Sequence, residues 1–172
     1  MSQRDMLQCR ETMAQVLGLR ELVSFPALPT NVEGTMSLEL YAFLEELPDR
    51  NRWQAGITRR GIDLQLDPDL DLTKDKGFSP CTVHGRSSGF ELYVMSTPDV
   101  LGDYPSATSA AGTRPHAVCF RWGGDLAEAA CVLGAALALA TGFQAIVYDP
   151  AEDVVYDEVR LAEELKACEA EL

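Results

Sequence analysis

The chain has 172 residues, of which 47% are apolar and 24% charged, and its net charge is −13. This length suits one domain spanning residues 1–172, and the apolar share is enough to build a core, which excludes wholesale disorder. The acidic excess excludes a protein that grips nucleic acid through a basic patch. The longest apolar run, Ala129–Ala140, is shorter than the roughly 20 residues that a membrane span needs.

The first third of the sequence predicts helices. Residues 3–18 carry apolar side chains near helical spacing and predict a first helix, followed by a proline-containing loop over 23–34. Apolar residues recur at helical spacing between Met36 and Leu47 and predict a second helix. Pro48-Asp49 then ends it and starts another, Asp49–Arg60, so that an αα-hairpin is expected here.

The middle of the sequence predicts strands. Ile62–Asp67 alternates apolar and polar residues as a short edge strand does, and an exposed acidic loop over 67–77 follows. The next strands are Cys81–His84 and Phe90–Met95, joined by a five-residue turn, Gly85–Gly89, as a hairpin. Residues 96–115 are broken by proline and glycine and predict a long surface loop, with one helical turn near Pro98–Leu101.

The last third predicts a buried helix between strands. His116–Trp122 is a strand, and Asp125–Thr141 is an alanine-rich helix, apolar nearly all round, with Asp125 as N-cap, Glu128 reaching back and Gly142 ending it. A final hairpin and an acidic helix complete the chain, Gln144–Tyr148 with Val154–Tyr156, then Asp157–Leu172. The predicted class is α+β, with a mainly antiparallel sheet.

The negative charge is concentrated at the C-terminus. Residues 149–172 hold nine acids and two bases, a net −7, against −5 for 61–148 and −1 for 1–60. Such an asymmetric field attracts a cationic partner. The candidate partner-binding residues form two acidic clusters, one in the middle loop and one near the C-terminus: Asp67, Asp69, Asp71 and Asp75, and Asp149, Glu152, Asp153, Glu163 and Glu164.

No spacing in the sequence assembles a site for chemistry, so neither a catalytic residue, a metal nor a cofactor is predicted. Asp67-x-Asp69-x-Asp71 opens like a calcium loop, but Leu72 and Phe78 stand where that loop needs glycine and glutamate. The only histidines, His84 and His116, have no nucleophile elbow near them. At Gly123-Gly124 the helix N-terminus that follows already carries Asp125 and Glu128, which disfavours phosphate.

The cysteines and the N-terminus indicate a reduced, cytoplasmic compartment. The five cysteines are odd in number and scattered, without a C-x-x-C pair. Charged residues interrupt 1–20, where a signal peptide would need an apolar stretch.

Four short segments resemble bacterial immunity proteins that neutralise secreted toxin effectors, including those of type VI secretion systems. These segments are Gly77–Cys81, Ser88–Tyr93, Phe120–Asp125 and Val147–Pro150, and the resemblance covers about residues 50–157 in the order of elements. It implies a cytosolic protein without catalysis of its own, which binds one cognate protein toxin and occludes its active site. An acidic surface suits a toxin with a cationic cleft, such as a nuclease or a nucleotide-targeting enzyme.

Two other functions remain open at the level of sequence. An adaptor or chaperone for a secreted effector would leave its partner active or unfolded in the complex. A small enzyme with an unrecognised site would hold a ligand in a polar pocket.

Overall fold

A seven-stranded sheet is the framework of the protein, in a computed structural model that describes residues 37–74 and 76–172. The strands lie in the order β2-β3-β4-β5-β1-β6-β7, and every neighbouring pair is antiparallel. Their bounds are β1 Leu38–Leu44, β2 Leu64–Leu66, β3 Gly77–Val83, β4 Arg86–Ser96, β5 His116–Trp122, β6 Ile146–Asp149 and β7 Val154–Tyr156.

The helices of the described residues connect these strands and cover both faces of the sheet. Their bounds are α1 Arg50–Arg59, α2 Thr97–Asp103, a 3-10 turn at Pro105–Ala107, α3 Thr108–Ala111, α4 Leu126–Phe143 and α5 Glu158–Ala170. The predicted α+β class is therefore confirmed.

The predicted helix between Met36 and Leu47 is wrong, because this segment contains β1, which lies inside the sheet between β5 and β6. The residues from Leu40 to Leu44 are all buried. Alternate side chains enter the two layers on either side of the sheet, with Leu40 and Ala42 on one face and Tyr41 on the other. A strand buried on both faces is nearly continuously apolar, so its sequence does not alternate as a half-exposed strand does.

The larger core lies on the face covered by α1, α4 and α5. The predicted buried helix is confirmed as α4, whose side chains from Ala129 to Leu139 are buried. Trp53 of α1 is fully buried and donates its indole N–H to the Ala135 carbonyl of α4 at 3.0 Å. Among the described helices, α4 alone is long and apolar enough to cross a membrane, but 67% of it is buried inside the protein.

The second face is covered by α2, the 3-10 turn and α3, so the long loop predicted over 96–115 is wrong, except for the helical turn expected near Pro98–Leu101, which lies in α2. The Ser96 side chain caps α2, and Val100, Ala107 and Ala111 are buried in a small core on this face. Pro98 and Pro105 stand at the starts of helical turns, where a missing N–H costs no hydrogen bond. Glycine and proline content alone does not reveal this packing.

Two turn predictions also need correction. The β3–β4 turn contains only His84 and Gly85, both with positive φ, because Val83 pairs with Arg86. The α4 helix continues past Gly142 to Phe143, and Gln144 takes the left-handed conformation at its end, with φ 54°.

The remaining predicted elements that fall within the described residues agree with the structure. The structure confirms α1, the β2 strand, the β6–β7 hairpin and the acidic final helix α5. The helix expected over 3–18 and the loop over 23–34 fall outside the residues that the structure describes.

Candidate protein-binding surface

The first acidic cluster follows β2, and its carboxylates shape the turns of their own loop. Asp67 accepts a hydrogen bond from the Asp69 backbone N–H at 2.9 Å. Asp71 accepts from the Thr73 N–H at 3.0 Å and from the Thr73 hydroxyl at 2.6 Å, and it pairs with Lys74 at 2.6 Å. These contacts lower the pKa of Asp71 to about 2. The charge of Asp71 is therefore compensated within its loop.

Two buried leucines and an arginine anchor this loop. Leu70 and Leu72 are 7% and 5% exposed, so the loop predicted to be exposed inserts alternate side chains into the core. Arg50 of α1 donates to the carbonyls of Leu66 and Asp67 at 2.8 and 3.0 Å. Asp69 is exposed, and Asp75 lies outside the described residues.

The second cluster surrounds Arg160 of α5. The Arg160 guanidinium pairs with Glu152 of the β6–β7 turn and lies 3.6 Å from the Glu164 carboxylate on the same helix. It also stacks on the Tyr156 ring, 4.0 Å from the ring centre. The Tyr156 hydroxyl donates to Asp149 at 2.9 Å. One cation thus holds three of the predicted partner-binding acids together as a structural network.

Burial sets the protonation of this network. Desolvation raises the pKa of Asp149, although Tyr156 and two backbone N–H groups donate to it. Desolvation also raises the pKa of Glu164, which is 8% exposed, against the lowering effect of Arg160. Asp149 bonds within the β6–β7 hairpin and Glu164 pairs within α5, so both offer little surface to a partner, while Glu152 joins the hairpin to the helix through Arg160.

Asp153 has a separate role. It is exposed, and it accepts hydrogen bonds from the Ser106 hydroxyl at 2.6 Å and from the Tyr148 hydroxyl at 2.8 Å. These bonds lower its pKa, so it stays charged at neutral pH. Its left-handed φ of 55° fixes the end of the turn just before β7.

Most of the remaining C-terminal acids face solvent, whereas Glu169 is bonded to His84. We call the exposed charged side chains of this segment, named next, the acidic end. The exposed carboxylates between Asp149 and Leu172 are Asp153, Asp157, Glu158, Glu163 and Glu171, and the exposed base of the same segment is Lys166. Because Arg160 is occupied by Glu152 and Glu164, it does not compensate these charges. Of the predicted residues, Asp153 and Glu163 therefore belong to the surface, whereas Asp149, Glu152 and Glu164 belong to the network.

The structure does not bring the two predicted clusters together. The first follows β2, which lies at one edge of the sheet, and the second adjoins β7 at the opposite edge. A partner that spans both would have to reach across the full width of seven strands.

His84 and Cys81 carry side chains that can ligate a metal or act as nucleophiles, and each contacts a neighbouring element of the fold. Within 37–74 and 76–172 there is no cluster of three potential metal-ligating side chains. His84 is bonded to Glu169 at 3.0 Å and lies 3.6 Å from Asp63, which ties the β3–β4 turn to α5. Hydrogen bonding to Cys131 and burial raise the pKa of the Cys81 thiol, which keeps it from acting as a thiolate.

One cluster was missed from the sequence because it is assembled by strand register. Glu39 of β1 and Glu91 of β4 both lie opposite Arg121 of β5. Arg121 pairs with Glu39 at 2.6 Å, and its guanidinium lies 5.3 Å from the centre of the Tyr93 ring. Glu39 also accepts from the Tyr41 hydroxyl at 3.0 Å. Nothing in the spacing of these residues along the chain signals the contact.

The buried tyrosines and the cysteine of this cluster stay protonated at neutral pH. Burial, with Glu39 nearby, raises the pKa of Tyr41 and of Tyr104, and burial raises the pKa of Cys119 to about 11. General acid–base catalysis works best with a pKa near the operating pH. The cluster instead ties three adjacent strands together.

Comparison of the chain with protein-family models, with curated proteins and with solved structures gives no match.

Proposed function

We propose that this chain is a cytoplasmic immunity protein without enzymatic activity, which binds a cognate toxin and occludes its cationic active site. The toxin class that suits the charge is a nuclease or a nucleotide-targeting enzyme, because such enzymes bind anionic substrates with cationic clefts. The supporting observation is the acidic end. It has five exposed carboxylates and only one exposed lysine, all within the segment β6–β7–α5.

The ion-pair network around Arg160 shows which C-terminal acids are already paired within the protein. A charge count along the sequence treats all nine C-terminal acids alike. The structure separates the acids that neutralise Arg160 from those that remain in solvent, and the second group is the one that a partner meets. Exposed charge of one sign speeds the encounter with an oppositely charged protein and rejects like-charged ones.

The test has two steps. Tagged chain is first purified from its native cells through a high-salt wash, and a co-purifying partner is identified by mass spectrometry. The partner is then expressed in a neutral host, alone and with this chain. We expect growth arrest alone and normal growth on co-expression. A partner that is harmless, or that stays toxic in the complex, would contradict the proposal and favour an adaptor.

Charge reversal then tests the surface. The variant E158K/E163K should slow association with the partner by about tenfold at low salt, and the difference should shrink as salt is added. A matched control, E45K/D103K, reverses two exposed acids outside the acidic end. Equal association rates for the two variants would exclude the acidic end as the binding surface.

A further inference from the structure

The two edges of the sheet are treated differently by the fold. An edge strand presents unpaired backbone N–H and C=O groups that can accept a further strand, and proteins usually block them. The two edge strands here, β2 and β7, have three residues each.

The β2 edge is blocked by side chains of α1. The Gln54 amide donates to the Leu64 carbonyl at 2.8 Å and accepts from the Leu66 N–H at 2.9 Å. It thus forms the pair of hydrogen bonds that another strand would form. Arg50 takes the Leu66 carbonyl beside it. No strand can add at this edge without displacing both side chains.

Within 37–74 and 76–172, no side chain bonds to the backbone of the β7 edge. Among the hydrogen bonds of the described residues, the backbone of Val154–Tyr156 pairs only with β6. Val155 is 46% exposed on this strand, and Val159 at the start of α5 is 65% exposed. These are two of the three exposed large hydrophobic side chains in the described part of the chain, the third being Phe78 on β3. Apolar exposure is therefore concentrated beside the open edge.

The charge around this edge selects what can pair with it. Asp153 immediately precedes β7, and Asp157 and Glu158 immediately follow it, all three exposed. A second copy of this chain would bring the same carboxylates against each other, and like charges directly opposite in a sheet are destabilising. A strand carrying lysine or arginine would instead meet opposite charges at both ends of the edge.

We propose that β7 is the docking strand of this protein, and that it binds an extended cationic segment of its partner by adding it to the sheet as an eighth strand. Backbone hydrogen bonds would hold the segment, Val155 and Val159 would contact its apolar side chains, and Asp153, Asp157 and Glu158 would bind its basic ones. A three-residue edge supplies only about two or three backbone hydrogen bonds, so the side-chain contacts are needed for affinity. This inference builds on the proposed function, since it names the part of the acidic end that the toxin contacts.

The first experiment uses a synthetic probe and does not depend on the toxin. The probe is a short peptide of alternating valine and lysine, and the matched control peptide has a central proline, which removes an N–H and breaks strand pairing. Hydrogen exchange of the full chain is measured with each. We expect the alternating peptide, but not the proline-containing control, to slow hydrogen exchange of the backbone N–H groups at Val154–Tyr156. Protection elsewhere, or equal effects of the two peptides, would overturn the proposal.

Variants then test the edge directly. V155K places a positive charge on the docking strand and should weaken peptide binding by at least about tenfold. Q65K places the same charge on the exposed side of β2, at the blocked edge, and should bind as the unmodified chain does. V155T keeps the strand and its backbone groups and should retain most of the binding. Equal loss in V155K and Q65K would indicate a general charge effect and overturn the proposal.

The toxin complex separates this inference from the proposed function. Neutralisation of a toxin together with exchange protection at β7 supports both. Neutralisation with protection only elsewhere overturns the docking strand and leaves the immunity function standing. Peptide protection at β7 without any neutralised partner supports the docking strand and overturns the immunity function.

Discussion

The two ends of the sheet carry similar sequence features and use them in opposite ways. Each end has a three-residue edge strand and an acidic segment that adjoins it. At the β2 end, Gln54 and Arg50 bind the backbone of the edge, and the acids Asp67 and Asp71 shape the loop that follows. At the β7 end no side chain of the described residues covers the edge, and Arg160 pairs with Glu152 and Glu164 while the acidic end faces solvent.

This difference shows that negative charge counted along a sequence is not the charge that a partner meets. The charge of a carboxylate that caps a turn or pairs with a guanidinium is partly compensated by those local groups, so less of it acts on a partner. Among the described residues, only the β7 end combines several exposed acids, exposed valines and an edge strand whose backbone bonds to no side chain.

The largest effect is expected at Arg160. R160M leaves Glu152 and Glu164 without their cation, and the free energy of unfolding should fall by about 2 kcal/mol at pH 7. This lies below the cost for a fully buried pair because the Arg160 side chain is 35% exposed. K166M removes an exposed cation from the same helix and should cost under about 0.5 kcal/mol. Urea unfolding of both variants measures the difference.

The R160M deficit should also depend on pH. Without Arg160 the pKa of Glu164 rises further above its usual value. The ionised Glu164 carboxylate then destabilises the folded state, and its protonation removes this destabilisation. The deficit should shrink as pH falls from 7 towards about 4. A deficit independent of pH would mean that lost packing on Tyr156, not charge, causes it.

The next effect concerns the blocked edge. Q54A removes both hydrogen bonds to β2, and the stability of the protein should fall by about 1 kcal/mol because the freed groups are partly buried. Q65A changes the exposed glutamine of the strand itself and should change stability by less than about 0.5 kcal/mol. Chemical denaturation distinguishes them. Equal effects would show that the Gln54 bonds do not stabilise this edge.

A smaller effect is expected at Asp149. Because the folded pKa of Asp149 is raised, the unmodified chain gains stability as pH falls through that pKa, and D149N should lack this gain. At pH 7 the two should differ by less than about 1 kcal/mol.

D153N serves as a control of opposite sign. The folded pKa of Asp153 is lowered, so the stability contributed by its ionised form is lost on acidification. Unfolding curves over a series of pH values should therefore diverge in opposite directions for D149N and D153N. Parallel profiles would contradict the assignment of Asp149 to the network.

The smallest effect is expected at Asp71. D71N keeps the turn-forming oxygen but loses the ion pair with Lys74, and its thermal midpoint should fall slightly at low salt and recover at high salt. In the unmodified chain the stability that this charge contributes is complete above the ordinary pKa of 3.8 and is lost progressively as pH falls from there through about 2, the folded pKa of Asp71. A midpoint shift that high salt leaves unchanged would point to the turn itself.

The elements that could be predicted from the sequence are those marked by residues close together along the chain. The apolar run and the Asp125 cap identified α4, because a capped, apolar segment of this length forms a buried helix in any fold. Alternation and turn residues identified the β3–β4 and β6–β7 hairpins for the same reason. The acidic C-terminal segment was also visible as composition alone.

Tertiary structure alone decided the features that depend on neighbours distant in the sequence. The strand β1 looks helical until both of its faces are seen to be buried, and the Glu39–Arg121 pair exists only through strand register. Which acids remain exposed depends on where Arg160 lies, and which edge is open depends on the reach of Gln54. Such contacts leave no periodic trace, because the partner of each group is set by packing and not by spacing.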